Sequence, residues 1–395
     1  MHRCPPEILW KIYGFACTDD GYTGRSLSLV SRYIHESSKP VKFQSLAVRG
    51  AWQAVECAAL LESTPSHLRR VDNLFISDAR PYDHFTSHAE DTEWDMPLTF
   101  PRDLAGTYLE GVDLQSFVVA VKYFVFFMPN RRRRRAVEAR RIKVLDAAMD
   151  GNSAGVSTVN LMHDASLRIL SIIAPTLRIL SSAIRYPVIS VHRPVTPPLP
   201  ALVELSLSYT SWSQDSPSAT MVSSLPVFPS LLRFDLAGVH GAEFDIYYSH
   251  HPHRAPYPVE LLQQVQRLAP SLTHIFLPII PKTWAHLTIK DFKIVFAAGS
   301  DKVPAGLTKV FIQLDCFSRA SHSGDREDFE SLAASDHRII FKERKVDTPI
   351  FSLAETTNRM DHIGLFKIEQ EKDWLERIDG GDGCWNMDGT VDADV

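Results

Sequence analysis

The stretch "PALVELSLS", Pro200–Ser208, holds the pattern from which most of the fold follows. Pro200 is followed two residues later by Leu202, and further leucines stand three and five positions after Leu202. Such a phrase predicts a short strand with one apolar side, which the strand cannot bury alone. We therefore expect this strand to stack on other units of the same kind.

The same phrase recurs along the chain as a proline, a leucine two or three residues later, and apolar residues beyond that leucine. In chain order the copies are Pro65/Leu68/Val71, Pro175/Leu177/Leu180, Pro200/Leu202/Leu205/Leu207, Pro229/Leu231/Phe234/Leu236, Pro270/Leu272/Ile275/Leu277 and Pro304/Leu307/Val310/Ile312. Two copies follow helix-like stretches, "LRILSII" and "VELLQQVQRL". The sequence therefore predicts a repeated unit of helix, proline and short strand, whose stacked copies share one core.

The leading leucines from Leu177 to Leu307 are 25 to 41 residues apart. This spacing is wider and less regular than the roughly 20–29 residues of regular leucine-rich repeats, so we expect insertions between the strands. The stretch "VKFQSLAV", residues 41–48, is also strand-like in composition. The alternative to a repeat is a set of unrelated helix and strand elements that happen to begin with proline. Residues 78–160 do not follow the repeated pattern, and we make no structural prediction for them.

The first forty residues have a different character, because helical patterns dominate them. "PPEILWKIYGFAC", Pro5–Cys17, begins with prolines and a glutamate that suit a helix N-terminus, and a second helical stretch, "SLSLVSRYIHESSK", ends at Pro40. On a 3.6-residue period the first helix has two apolar faces. One face carries Ile8, Ile12 and Phe15, and the other carries Leu9, Tyr13 and Ala16. A unit of this size rarely buries two such faces, so we expect one to pack inward and the other to meet a partner.

Residues 4–32 resemble the F-box, in a form similar to the F-box-like sequences of mushroom-forming fungi. The matching residues are Pro5, Glu7, Ile8, Leu9 and Ile12, with Tyr13 at the aromatic position and Val30-Ser31-Arg32 as the second block. Cys4 departs from the usual leucine, and Tyr33 stands where tryptophan is expected. A helical bundle followed by irregular leucine-rich repeats is also a known F-box architecture.

The resemblance implies a fold, a function and a set of partners. The expected fold class is α/β, with a small helical F-box-like bundle in residues 1–40, an irregular leucine-rich-repeat solenoid of short parallel strands and helices in residues 41–365, and an acidic, disordered tail in residues 366–395. The implied function is that of a substrate-recognition subunit of an SCF-type cullin ubiquitin ligase, which binds a Skp adaptor and, through it, the cullin scaffold. The implied adaptor-binding residues are Pro5, Pro6, Ile8, Leu9, Ile12, Tyr13, Val30 and Tyr33. The protein substrate is not specified.

Such a subunit acts by proximity and is not an enzyme, so we expect no catalytic residue, cofactor or metal. A leucine-rich-repeat binding module without ligase assembly is the first alternative. A serine hydrolase is a second, because "GNSAG", residues 151–155, matches a nucleophile elbow centred on Ser153. The elbow requires a buried strand before the serine, whereas the preceding "AVEARRIKVLDAAMD" has the composition of a solvated helix.

Metal-binding patterns are incomplete in this sequence. In "HESSK" the second ligand position of a zinc-protease motif is held by Lys39, whose ammonium group does not bind zinc. The histidines of "YYSHHPHRAPY" lie in a proline-marked loop without a neighbouring cysteine or carboxylate. The acidic "DGGDGCWNMDGTVDADV" has Cys384 and Val395 where a calcium loop needs carboxylates.

Charge and composition limit the remaining classes. The chain of 395 residues is 45% hydrophobic and has a net charge of −5, so a nucleic-acid partner is not expected for the protein as a whole. A local basic run could bind an import receptor, and it consists of Arg131, Arg132, Arg133, Arg134 and Arg135. Five scattered cysteines do not suggest a disulfide framework, and the longest apolar run, residues 117–128, is too short to span a membrane. We expect an intracellular protein of the cytoplasm, the nucleus or both.

Overall fold

Eight parallel strands form one sheet in the computed structural model, and their order across the sheet is their order along the chain. The structure describes residues 4–78, 158–184, 197–211, 225–241, 257–277, 292–293, 295–296, 303–313, 323–342 and 370–385. The strands are β1 (Ser45–Arg49), β2 (Asn73–Ser77), β3 (Ile179–Ala183), β4 (Glu204–Ser211), β5 (Arg233–Gly241), β6 (His274–Phe276), β7 (Lys309–Gln313) and β8 (Ile339–Lys342). A parallel neighbour can be reached only by a crossover, and described helices supply it between β1 and β2, β2 and β3, β5 and β6, and β7 and β8.

Helices precede the sheet, cross between its strands and follow it. They are α1 (Pro6–Ala16), α2 (Tyr22–Val30), α3 (Arg32–Ser38), α4 (Gly50–Ser63), α5 (Thr158–Ile173), α6 (Tyr257–Leu268), α7 (Ser323–Ser335) and α8 (370–378). Short 3₁₀ turns occupy Ser66–Leu68 and Gly383–Trp385. The predicted α/β class, with short parallel strands and helices, is confirmed.

The copies of the repeated phrase are aligned across the sheet, so that their equivalent residues lie opposite one another. Leu180 lies opposite Leu205, Leu205 opposite Phe234, Phe234 opposite Ile275, and Ile275 opposite Val310. The first copy of the phrase was misplaced by three residues. Leu74 is the residue opposite Leu180, so that copy reads Val71/Leu74/Ile76, and Leu68 belongs to the preceding 3₁₀ turn.

The strands from β2 to β7 all begin with the same pair of backbone hydrogen bonds. At β5, the N–H groups of Leu232 and Arg233 both donate to the carbonyl oxygen of Val203, at 2.9 and 3.1 Å. At β6, the N–H groups of Thr273 and His274 both donate to the carbonyl oxygen of Leu232, at 2.9 and 3.0 Å. Each unit therefore fixes the starting level of the next, and the register does not depend on the length of the insertion between them.

The first face of the sheet packs on the crossover helices and forms the main core. We define it by the phrase residues of the strands, among them Leu74, Leu205, Ile275 and Val310, all of which are fully buried. Leu61 of α4, Ile169 of α5 and Leu262 of α6 pack against them. Burying one such side chain contributes about 1.5–3 kcal/mol, so this continuous layer is the main source of stability.

The prediction of a disordered tail is wrong for residues 370–385. Here α8 and the following 3₁₀ turn pack on the other side of the sheet, where Trp374, Ile378 and Trp385 are buried. The acidic composition suggested solvation, but two tryptophans supply enough apolar area to order the segment. The other predicted domain boundaries stay predictions. Among the described residues, no helix combines the length and apolar content needed to cross a membrane.

Candidate protein-binding surface

A small core within the three N-terminal helices decides which face of α1 points inward. Leu9 and Tyr13 are buried together with Val41, and Leu27 of α2 and Ile34 of α3 pack against them. Since these contacts complete the core of the helical unit, the face with Ile8, Ile12 and Phe15 is turned outward. The sequence predicted the two faces but not their direction.

The outward side of these helices carries an unusual amount of apolar surface. Phe15 is 82% exposed, Leu29 72%, Val30 63% and Ile12 53%. We define the N-terminal apolar surface as the exposed large apolar residues of α1–α3. These are Ile8, Trp10, Ile12, Phe15, Tyr22, Leu29, Val30 and Tyr33. Within the described residues only Leu60, Val227 and Leu232 are comparable elsewhere, so this surface is a local concentration rather than the usual scatter of single apolar residues.

The predicted adaptor-binding residues divide into two groups. Pro5, Pro6, Ile8, Ile12, Val30 and Tyr33 are exposed, as a contact surface requires. Leu9 and Tyr13 were wrong as contact residues, because they fill the core of the helical unit and are only 3% and 5% exposed.

The prediction also missed contributors to this surface. Trp10, Phe15, Tyr22 and Leu29 were not included in the predicted site, although Phe15 shares the helical face of Ile8 and Ile12. The position of Phe15 on that face could have identified it as a contact residue from the sequence. Leu29 immediately precedes Val30, which the predicted site did include.

The loop before α2 fixes the helical unit to the edge of the sheet. The carboxylate of Asp19 accepts hydrogen bonds from the N–H groups of Gly21 and Thr23, at 3.0 and 2.8 Å, and Gly21 has a φ of 94°. The carbonyl oxygen of Asp20 accepts from the N–H of Ala47 in β1, at 3.2 Å. This bond pairs one backbone group on the otherwise unpaired edge of β1 with the loop before α2.

A second candidate region lies on the opposite side of the sheet from the main core. We define the second face by the strand residues that alternate with the phrase residues, including Phe75, Glu204, Asp235, Phe276 and Phe311. We call residues 370–385, which lie across it, the anchor segment. Trp374 packs on Phe75 with ring centroids 5.7 Å apart, and Trp385 packs on Phe311 with centroids 5.5 Å apart.

Polar contacts join the anchor segment to the second face at defined points. Glu204, which is 5% exposed, accepts a hydrogen bond from Trp385 Nε1 at 2.9 Å and from Arg377 Nε at 3.1 Å. Gln370 Nε2 donates to Ser206 Oγ at 3.0 Å. Each of these bonds pairs buried polar atoms, whereas the buried Gln370 Oε1 has no hydrogen-bond partner among the described residues.

Two cysteines of the described residues, the buried Cys17 and the half-buried Cys57, have thiols with a raised pKa. Burial raises the pKa of Cys57 to about 12 and that of Cys17 to about 11, the latter with help from the charge of Asp19. Such thiols are protonated at neutral pH and are poor nucleophiles or metal ligands. In the part of the chain that the structure describes, no three histidine, cysteine or acidic side chains come together as a metal site.

Several sequence motifs lie outside the described residues. They are Ser153, the arginines from Arg131 to Arg135, and the histidines His250, His251 and His253. Lys39 of the "HESSK" motif is described, and its ammonium group pairs with Glu36 at 2.6 Å. Comparison of the chain with protein-family models, curated proteins and solved structures finds no match in any of the three.

Proposed function

We propose that this protein is a non-enzymatic substrate-recognition subunit of an SCF-type cullin ubiquitin ligase, with an F-box-like helical unit and an irregular leucine-rich-repeat domain. The observation that supports it best is the N-terminal apolar surface. It lies on the helices that resemble the F-box, and a Skp adaptor would cover it. The in-register repeat of the parallel sheet supports the second half of the architecture.

The size of the apolar residues is sufficient for a specific contact. Burial of apolar area contributes about 25 cal/mol per Å², and a large aromatic residue offers about 150–250 Å². Phe15, Leu29, Val30 and Ile12 together could therefore supply several kcal/mol, offset in part by the entropy lost on association. Phe15 protrudes furthest and is the expected centre of the contact.

The mechanism requires no chemistry from this chain. The adaptor would hold the helical unit on the cullin scaffold, and the repeat domain would hold a protein substrate. A substrate bound in this way is presented to a ubiquitin-charged enzyme on the same scaffold at a high effective concentration. Neither the substrate nor the side chains that bind it follow from the sequence.

A repeat-based binding module without ligase assembly is the second candidate. Two departures from the F-box pattern favour it: Cys4 packs half-buried against the small core, and Tyr33 replaces tryptophan at the rim of the surface. The two candidates differ in one property, which is binding to a Skp adaptor.

Titration calorimetry with a purified Skp adaptor separates these candidates. We expect the wild-type chain to bind and Ile12→Lys to lose at least about 2 kcal/mol of binding free energy, because a charge replaces an apolar contact. Leu60→Lys is the matched control, since Leu60 is 43% exposed on α4, away from the surface. If the wild-type chain does not bind, or if both variants bind as the wild type does, the adaptor proposal is wrong.

A further inference from the structure

The second face of the sheet carries buried polar residues beside its aromatic ones, although both faces of the sheet are covered. In β4, Leu205 and Leu207 enter the main core, while Glu204, Ser206 and Ser208 belong to the second face. Parallel strands that are permanently buried on both faces are normally apolar throughout. The second face instead combines buried polar groups with the aromatic residues Phe75, Phe276 and Phe311, a composition suited to a segment that offers both hydrogen-bond donors and aromatic rings.

The anchor segment is attached to this surface as a ligand would be. Its polar contacts to the sheet run through side chains, while backbone hydrogen bonds such as that from Trp385 N–H to the carbonyl oxygen of Asp382 close within the segment. Its apolar contacts form two small clusters that are separate from the main core, one around Trp374 and one around Trp385. Among the described residues, these two clusters share no member with the main core.

A charge pair gives the contact its specificity. Glu204 is buried between Arg233 of β5 and Arg377 of the anchor segment, with Arg233 Nη1 at 3.6 Å and Arg377 Nε at 3.1 Å from Oε2. A buried carboxylate of this kind adds little to stability but excludes ligands that lack a matching donor. Arg377 stands three residues after Trp374 and eight before Trp385, so the three anchors define a spacing.

We propose that the anchor segment is an internal ligand that occupies the binding surface of the repeat domain, and that this surface binds a protein segment of the same chemistry. That segment would present an aromatic residue, an arginine three residues later, and a second aromatic residue further on. The substrate and the anchor segment then compete for the second face. The proposal rests on the proposed function only in identifying the competing segment as a ligase substrate.

The test uses a full-length variant whose anchor segment no longer occupies the second face; we call it the vacated chain. In the variant Trp374→Ser, Arg377→Ser, Trp385→Ser the three anchors are lost, and the probe is a fluorescent peptide of residues 370–385. Fluorescence anisotropy should show saturable binding to this variant. The wild type should bind about 100-fold more weakly, which is the ratio of a tethered concentration on the order of 1 mM to a peptide Kd on the order of 10 µM.

Matched controls distinguish specific recognition of the peptide from nonspecific binding. The exposed Lys372→Ser variant should resemble the wild type, because its segment keeps all three anchors. A peptide with Arg377→Ala should bind the vacated chain at least tenfold more weakly, and adding Glu204→Gln to the vacated chain should weaken the original peptide similarly.

Each outcome decides the proposal. It is supported if the vacated chain unfolds cooperatively and binds the peptide as described. It is overturned if the vacated chain lacks a cooperative thermal transition, because the segment is then part of the core, or if it is folded and binds no peptide. Skp adaptor affinity, measured on the same variants, should not change; its absence in all of them would refute the ligase proposal while leaving the peptide result intact.

Discussion

Replacing Gly24 by alanine should destabilise the helical unit, although alanine is the better helix former. Gly24 lies in α2, and a Cβ built there would overlap the backbone carbonyl oxygen of Lys42 and lie 3.1 Å from its carbonyl carbon. The oxygen is the limiting contact, and restoring an ordinary van der Waals distance to it would require α2 to move by roughly 1 Å. Overpacking of this kind costs about 1–3 kcal/mol, whereas the helix propensity gained is about 1 kcal/mol.

Gly14→Ala is the matched comparison, because it places the same methyl group on α1. The built Cβ there meets only the side-chain Oε1 of Gln44, at 3.3 Å, and a flexible side chain can give way. We expect Gly14→Ala to be neutral or stabilising by up to about 1 kcal/mol, and Gly24→Ala to be destabilising by up to about 2 kcal/mol. Urea denaturation followed by far-UV circular dichroism measures both. If Gly24→Ala proves as stable as Gly14→Ala, the close approach between α2 and residue 42 is wrong.

Two further predictions concern burial. Leu9→Ala should lower the free energy of unfolding by about 2–5 kcal/mol, whereas Phe15→Ala, at a position 82% exposed, should change it by less than about 0.5 kcal/mol in the absence of a partner; equal losses in urea denaturation would contradict the assigned orientation of α1. The Cys57 thiol should resist iodoacetamide at pH 8 in the folded protein and react in denaturant, because burial raises its pKa to about 12. Mass spectrometry of tryptic peptides measures this, and rapid labelling of Cys57 in the native state would show that α4 does not bury it.

The strands could be predicted because their signal is local and repeated. Proline followed by a leucine and by apolar residues three and five positions after it locates the first residue of β4, β5, β6 and β7 to within a residue. The first copy was misplaced because Leu68 satisfies the same spacing as Val71, and only the pairing of Leu74 with Leu180 distinguishes them. Spacing along the chain cannot separate such alternatives, since the register is set by the neighbouring unit.

The direction of α1 and the fate of the C-terminal residues depend on contacts between distant parts of the chain. Both faces of α1 are similarly apolar, and Val41, 28 residues beyond Tyr13, helps to decide which of them is buried. The anchor segment was taken for a disordered tail because its composition is acidic. Its signal was the spacing of Gln370, Trp374 and Ile378, which places the three residues on one face of a helix.

The side chain of Arg49 contacts both the loop before α2 and the anchor segment. Arg49, at the end of β1, donates from Nη2 to Asp20 of the loop before α2 at 3.2 Å, and from Nε to Glu371 of the anchor segment at 2.9 Å. Burial alone would lower the pKa of Arg49, but the hydrogen bonds and charges of Glu371 and Asp20 raise it above its ordinary value. If a competing segment displaced Glu371, the Arg49 guanidinium would lose one of these two carboxylate partners and keep Asp20. Arg49 therefore ties the anchor segment to the loop before α2 through its two carboxylate partners.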